Sequence, residues 1–328
     1  MVTLHDVAKF SGTSVGTVSR VLNGSPHVSE VARLRVLRAI DELNFTPNRA
    51  AQSLRTSRTT LAGLIVPDIT NSFFGALARA LARELWAHDY GLILADTAES
   101  LEKQTEALDA LGKRGVDGLF LVPTTSTRDI ANPLNIPLVT LDRTLADLPG
   151  VTSDNRQGTS LAVSYLHGWG HRRIATIVGP TTCSTAAERL EGYATTTRAL
   201  GIYSRSLIRE GPFSYAFGKQ AMEELLDEPT RPTAVIASND SQAIGALHAC
   251  AGRGLRVPQD ISICGFDGSE LASHLSPSLT SVKQPISTMA THGARLMLEL
   301  IETGTAGSGA VLLTDLTIGE SCSVPPSH

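Results

Sequence analysis

The 328-residue sequence predicts an α/β protein: a small three-helix head, a short hinge helix and a two-lobed body built on parallel sheets. Three observations carry this. From Leu61 onward, strand-sized apolar runs alternate with helical stretches. The first 45 residues instead show apolar residues at i, i+3 and i+4. Charge also divides between the parts. Residues 1–58 hold eight Lys/Arg against four Asp/Glu, net +4, and the remainder holds twenty against twenty-eight, net −8. A small basic head on a large acidic body points to a polyanion-binding module joined to something else.

In the head, Leu4, Val7 and Ala8 form one helical stripe, Val18, Val21 and Leu22 a second, and Val36, Ala39, Ile40 and Leu43 a third. Gly12, Asn23, Gly24 and Pro26 supply the breaks. Each stripe is narrow, so the three helices must pack on one another. Leu34 and Leu37 fall off the third stripe; exposure or contact with the body would each account for them. Two helices joined by a tight turn within about 20 residues are the helix-turn-helix pattern, whose second helix enters the major groove. Ser14 is placed to cap that helix. Val15, Gly16, Thr17, Ser19 and Arg20 face outward, and Arg20 can fork onto guanine. A protein-binding three-helix module is the competing reading.

In the body, apolar runs at 61–66, 91–95, 116–122 and 136–141 alternate with helices such as Phe74–His88 and Leu101–Arg114. A second series runs through Ile174–Val178, Leu207–Arg209, Ala234–Ala237 and Ile261–Gly265. Alternation of this kind gives parallel sheets covered by helices. About 270 residues exceed one ordinary sheet core, so two lobes meeting near Val151–Asn155 are expected. The expected division is 1–45 head, 46–58 hinge, 59–322 body and 323–328 tail, frayed over Val324–His328. Within the body, one lobe takes about 59–154 plus 286–312, and the other about 155–285 plus 313–322.

Ligands of such sheets bind outside the strand C-termini. Polar and aromatic residues gather there: Asp68 with Phe73 and Phe74, Asp142-Arg143, Ser153-Asp154-Asn155, Glu188-Arg189, Ser238-Asn239-Asp240 and Phe266-Asp267. Carboxylates, amides and arginines beside aromatic faces suit a polyhydroxylated ligand. Asp267 and Arg189 are expected as a buried charged pair. Asp68 has a competing role as a helix cap, Phe74 as core, and Asp154 as a support of the crossover.

Other signals carry less. Gly12-Thr13-Ser14-Val15-Gly16 fits a nucleophile elbow but follows a helix, not a strand. His167 and His171 are four apart, yet Gly168 and Gly170 oppose a regular helix there and no further ligands converge, so no metal is expected. Asn23-Gly24-Ser25 is a glycosylation pattern without a secretion signal. No nucleotide-binding glycine motif follows the first strand, and neither a cofactor nor a catalytic residue is expected. Four scattered cysteines, no signal peptide and no apolar run near 20 residues suggest a cytoplasmic protein without membrane contact.

Leu4-His5-Asp6-Val7-Ala8-Lys9-Phe10-Ser11-Gly12, then Ser14 through Asn23, then Leu43 through Ala51 resemble the LacI/GalR family of transcription regulators. The likeness covers about 55 residues of head and hinge with few gaps, and the body follows along its length. It implies a homodimer on double-stranded operator DNA, most often as a repressor, with a sugar-like effector in a periplasmic-binding-protein-like body. DNA contacts are implied at Thr3, Ser14, Val15, Gly16, Thr17, Ser19, Arg20, Asn23, Asn48, Ala51, Leu54 and Arg55. Val15 and Gly16 fall where the family usually discriminates operator bases, and glycine there leaves readout to Val15, Arg20 and their neighbours. Effector contacts are implied at Phe73, Phe74, Asp142, Arg143, Arg189, Phe213, Asn239, Asp267 and Gln284, beside Asp68 from the strand-end reading. Thr13 stands where valine is usual, and Gly319 where arginine is common. The body alone also permits a transporter's solute-binding protein, which the basic head argues against.

The hinge segment from Pro47 to Arg55 is marginal as an isolated helix. The resemblance implies that it orders on DNA, with Leu54 as an apolar wedge in the minor groove. Leu54→Ala is therefore expected to weaken operator binding sharply at unchanged ligand affinity of the body. Equal operator affinity of the two proteins in a gel-shift titration would reject this.

Overall fold

A computed structural model describes residues 2–22, 24–45, 58–130, 135–145 and 147–326. The chain divides into two compact units, Met1–Thr59 and Thr60–His328.

In the first unit, α1 (Leu4–Ser11) starts at a reciprocal cap. Asp6 N donates to Thr3 Oγ1, and Thr3 N donates to the Asp6 carboxylate at 2.8 Å. The bonds from Thr3 hold the Asp6 carboxyl below its usual range. Gly12 ends the helix at φ +63°, a left-handed turn that glycine adopts without strain. Thr13 follows, its hydroxyl 2.9 Å from Ser11 Oγ, so the departure from valine is absorbed by a polar contact inside the turn. Helix α2 (Val15–Leu22) is capped by Ser14, whose Oγ accepts from Thr17 N at 3.1 Å. Helix α3 (Glu30–Glu42) is capped by Ser29. Val7, Val18 and Val36 are fully buried between the three helices. Each contributes about 1.5–3 kcal/mol by leaving water. Leu34 and Leu37 are exposed, at 59% and 49%.

The second unit holds two six-stranded sheets. In the first, β1 (Leu61–Val66) lies between β2 (Gly91–Asp96) and β3 (Gly118–Leu121). Strands β4 (Leu138–Leu141), β5 (Gly150–Ser153) and β11 (Ala310–Leu312) continue from β3, all parallel. In the second, β6 (Ile174–Val178) lies between β7 (Ile208–Glu210) and β8 (Ala234–Ala237). Strands β9 (Ser262–Asp267), β10 (Thr280–Lys283) and β12 (Asp315–Thr317) follow, with β12 antiparallel to β10. Helices α4 (Ser72–Trp86) and α5 (Leu101–Lys113) belong to the first lobe. Helices α6 (Asn155–Gly168), α7 (Ser184–Ala199), α8 (Tyr215–Leu226), α9 (Asp240–Gly252) and the single turn α10 (Glu270–Ser273) belong to the second. Helix α11 (Ile286–Thr303) returns to the first, burying Met289, Ala290, Leu296 and Met297 with Leu77, Leu81 and Leu85 of α4.

The chain thus passes between sheets three times: from β5 to α6, from β10 to α11, and from β11 to β12. Asp154 sits at the first passage. Its carboxylate caps α6 by accepting from Gln157 N, and its backbone N–H donates to Leu312 O at 2.7 Å. Gln157 in turn accepts from Thr314 N and Oγ1 on the third passage.

Two local expectations change. Helix α6 runs through His167 to Gly168, because glycine at a last turn costs little there. His171 lies beyond it, fully buried, with its ring nitrogens against Thr233 Oγ1 and Ser323 O. Burial lowers its pKa. Ser323, counted in the expected tail 323–328, also donates its N–H to Ser262 Oγ.

Candidate functional site

A cavity of about 280 Å³ opens between the C-terminal ends of the two sheets. All ten residues expected as effector contacts line it, whereas Ser153, Asp154, Asn155, Glu188, Ser238, Asp240 and Phe266 of the strand-end clusters do not. Asp68 follows β1, Phe73 and Phe74 open α4, and Asp142 and Arg143 follow β4. Arg189 comes from α7, and Phe213, Asn239, Asp267 and Gln284 come from the ends of β7, β8, β9 and β10. Asp68 is not the cap of α4; Asn71 is, accepting from Phe73 N at 3.0 Å. Asp68 instead accepts from Thr70 N and Oγ1.

The two arginines are held differently. Arg143 is 5% exposed; one Nη meets Glu99 at 2.9 Å, the other donates to Pro123 O, and the buried Nε has no partner among the described residues. Its guanidinium lies 5.9 and 5.5 Å from the Phe74 and Phe213 ring centres. Arg189 lies 3.8 Å from the Phe266 ring centre and donates to Asn155 Oδ1 and Ser238 O. The expected Asp267–Arg189 pair is therefore not a direct contact. Asp267 Oδ1 instead accepts from Gln284 Nε2 at 2.9 Å, and Gln284 Oε1 accepts from Ser153 Oγ at 2.8 Å. Asn239 caps α9 through Gln242 N, and its Nδ2 donates to Phe213 O.

Asp142 and Asp267 line this cleft, and Asp240, outside the lining, acts on Asp267 through its charge. Asp142, Asp240 and Asp267 are each at most 5% exposed. Burial, opposed by the arginines, pushes Asp142 up; burial pushes Asp240 up and Asp267 well up, the latter also through Asp240. Asp142 and Asp267 have φ of +61° and +121°, a backbone region that costs about 1–3 kcal/mol and clusters at functional sites. One carboxylate oxygen of Asp142 is buried without a hydrogen bond. Ring faces, carboxylate acceptors and guanidinium donors in one small enclosure can grip a compact molecule bearing hydroxyls and C–H faces.

Glu99, Thr125, Thr185 and Ser214 also line the cavity and escape sequence reasoning. Glu99 held the one available signal, an acid three residues beyond β2. Gly319 lines nothing here: a Cβ at that position would stand 2.5 Å from Ser278 O, so this backbone excludes any larger side chain.

In the first unit, Gly16 and Arg20 are exposed, and Val15, Thr17 and Ser19 are half-buried along α2. The hydroxyls of Thr3 and Ser14 serve helix caps. Among the described residues Arg20 forms no ion pair, whereas Arg38 is bound to Glu42 at 2.7 Å and Arg33 approaches Glu30 at 3.8 Å. Asn23, Asn48, Ala51, Leu54 and Arg55 lie outside the described residues.

A helix-turn-helix head on a two-lobed cleft defines a ligand-responsive DNA-binding regulator. The chain belongs to the LacI family of bacterial regulatory proteins. That family's model matches residues 3–48, and a periplasmic binding protein-like domain matches residues 163–322. The chain is 34% identical over 319 residues to catabolite control protein A of Priestia megaterium, covering 95% of this chain and 96% of that one. It is 38% identical to a ribose operon repressor of Halalkalibacterium halodurans, covering 92% and 91%. Among solved structures, the Lac repressor dimer bound to operator and an anti-inducer superposes with a TM-score of 0.84 at 28% identity, covering 98% and 99%. A regulator CelR–cellobiose complex superposes at 0.73 and 34%, covering 98% and 100%. The chain is a DNA-binding transcriptional regulator controlled by a small molecule. No described helix is long and apolar enough to cross a membrane.

Proposed function

We propose that this regulator is a homodimeric, cytoplasmic repressor whose effector is a monosaccharide of the ribose type, bound by the ten cleft residues. The observation that carries this is the cleft itself: about 280 Å³, at the small end of ligand sites, lined by aromatic rings, buried acids and two arginines. Relatives named as ribose operon repressors support the pentose. The relative whose structure is a dimer on operator supports pairing, since one recognition helix reads only a half-site. The buried acids act as hydrogen-bond acceptors, not as reagents, so the cleft performs no chemistry.

Gln284 gives the cleft a route to the rest of the body. It bonds Asp267 inside the cleft and Ser153 beside the first passage between lobes. A sugar that binds Asp267 thereby biases the lobe arrangement, and a ligand shifts such an equilibrium only by its differential affinity. An anisotropy titration on a palindromic operator, with and without ribose, tests the reading. Tight binding with a steep negative salt dependence, shifted by ribose, is expected. Weak, flat binding to every sequence would reject it.

Proton linkage gives a second test. Asp142 and Asp267 hold their protons more tightly in the folded body than in the unfolded chain, first because of burial. The unliganded body should therefore lose stability as pH rises upward from the ordinary carboxylate range. Sugar hydroxyls that donate to these carboxylates favour the ionised form. Binding should then release protons, and affinity should fall as pH is lowered. Calorimetry in two buffers of different ionisation enthalpy measures this; identical heats would contradict it.

A further inference from the structure

The two lobes also touch outside the three passages of the chain. In the first lobe, Thr125 and Arg128 follow β3 and Arg143 follows β4; in the second, Thr182 follows β6 and Phe213 follows β7. Thr182 donates its hydroxyl to Thr125 O at 3.3 Å and accepts at its carbonyl from Arg128 Nη1 at 2.8 Å. The Arg143 guanidinium contacts the ring of Phe74 in its own lobe and that of Phe213 in the other.

Glu99 stands behind two of these contacts. Its Oε1 meets Arg143 Nη2 at 2.9 Å, and its Oε2 accepts from Thr125 N at 3.0 Å. One carboxylate thus grips both the arginine that lines the cleft and the residue whose carbonyl reaches Thr182. Its loop is pinned at both ends: Glu99 N donates to Pro67 O at 2.7 Å, and Ser100 caps α5. Ala98 and Glu99 take φ of +47° and +58°, a backbone that persists in non-glycine residues only where the surroundings enforce it. The two contacts also demand a carboxylate. Arg143 Nη2 and Thr125 N are both donors, so both side-chain atoms facing them must accept. Glutamine offers one oxygen and one amide NH2, which would face a donor in either orientation.

We propose that Glu99 is a positioning residue that orients Arg143 for the effector and couples it, through Thr125, to the contact with Thr182 that holds the lobes together. This rests on the reading of the cleft as the effector site and adds a second route from it, beside that of Gln284. The Arg143 Nε has no partner among the described residues and is free to take up a ligand acceptor. A ligand that engages Arg143 acts on a carboxylate that also holds Thr125. Ligand binding and lobe closure then favour one another, by the same factor in each direction.

The test reads the lobe spacing of the full chain by pulsed electron spin resonance, between labels on Glu102→Cys and Ala216→Cys. Both positions are exposed in the first turns of α5 and α8, and the four native cysteines are buried. Without ligand, Glu99→Gln and Thr182→Val should each lower the ratio of closed to open spacing about two- to tenfold, the value of one hydrogen bond. The double variant should go no further than the stronger single one, because both changes break one chain of contacts. A second measurement keeps Glu99 in place, should Glu99→Gln fail to fold. Hydrogen exchange at the Thr125 amide, which Glu99 holds, should quicken by a similar factor in Thr182→Val, whose side chain is exposed and outside the cleft lining. A ligand-free parent without the closed spacing, spacing unchanged in both single variants, additive effects in the double variant, or Thr125 exchange indifferent to Thr182 would each overturn the proposal. Ribose should raise the closed population of the parent and should be needed at higher concentration in either variant. Failure of ribose to act on the parent rejects the ribose reading alone, since the ligand-free spacing and exchange judge Glu99 without it.

Discussion

Asp267→Asn is expected to weaken ribose binding roughly 10- to 150-fold, the value of a hydrogen bond to a charged acceptor, about 1.5–3 kcal/mol. Asparagine keeps the shape and the Oδ1 that accepts from Gln284, and exchanges the second carboxylate oxygen with its charge for an amide donor. The same change relieves the crowding of Asp267 with Asp240 and Asp142, which already pushes Asp267 well above the carboxylate range beyond the effect of burial. The thermal midpoint of the unliganded protein should therefore stay level or rise while affinity falls. Asp267→Ala removes the acceptor as well, uncouples Gln284 from the cleft, and should cost more. In both variants operator binding should stop responding at ribose concentrations that shift the parent protein. Calorimetry with ribose and a melting curve measure the two sides. A variant that loses affinity only because it melts early would show that Asp267 supports the fold and not the ligand.

The cleft was largely legible because parallel strands put their C-terminal ends on one edge. Once β1, β4, β8 and β9 are recognised as apolar runs, the polar residues following each must lie near one another. Arg189 was harder, since it stands more than a full turn into α7, well beyond the end of β6. Its place rested on the strand-end cluster Glu188-Arg189 together with the family resemblance. Glu99, Thr125, Thr185 and Ser214 were missed for a related reason: loop residues carry no periodicity, and nothing local distinguishes one that turns inward. The backbone at Asp142 and Asp267 was equally hidden, because aspartate rarely adopts positive φ and only the surrounding packing enforces it.

Strand detection failed where strands were short or polar. Gly150–Ser153, Thr280–Lys283, Ala310–Leu312 and Asp315–Thr317 contain few consecutive apolar residues, yet they become strands by adding to the edges of sheets already formed. Their pairing energy comes from partners distant in sequence, which a local pattern does not contain. These strands also carry the three passages between lobes. The elements hardest to read are thus the ones on which lobe movement depends.

The head invites the sharpest separation of roles. Arg20→Ala should reduce operator affinity by about 1–3 kcal/mol per half-site, roughly 30- to 20,000-fold for a dimer with both half-sites affected. Arg20 is exposed near the end of α2, so its removal breaks no ion pair among the described residues. The buried valines of the head are untouched, and the fold should keep its melting temperature. If Arg20 reads a base, the loss is confined to sequences carrying the cognate guanine, preference at that position relaxes, and the salt slope barely changes. If it holds a phosphate, affinity falls evenly across all sequences and the slope drops by about one unit per arginine. Binding measured on operators varied one position at a time, at several salt concentrations, distinguishes these results. With Gly16 contributing no side chain to the same helix face, specificity must rest on few groups, so the base-reading outcome is the expected one.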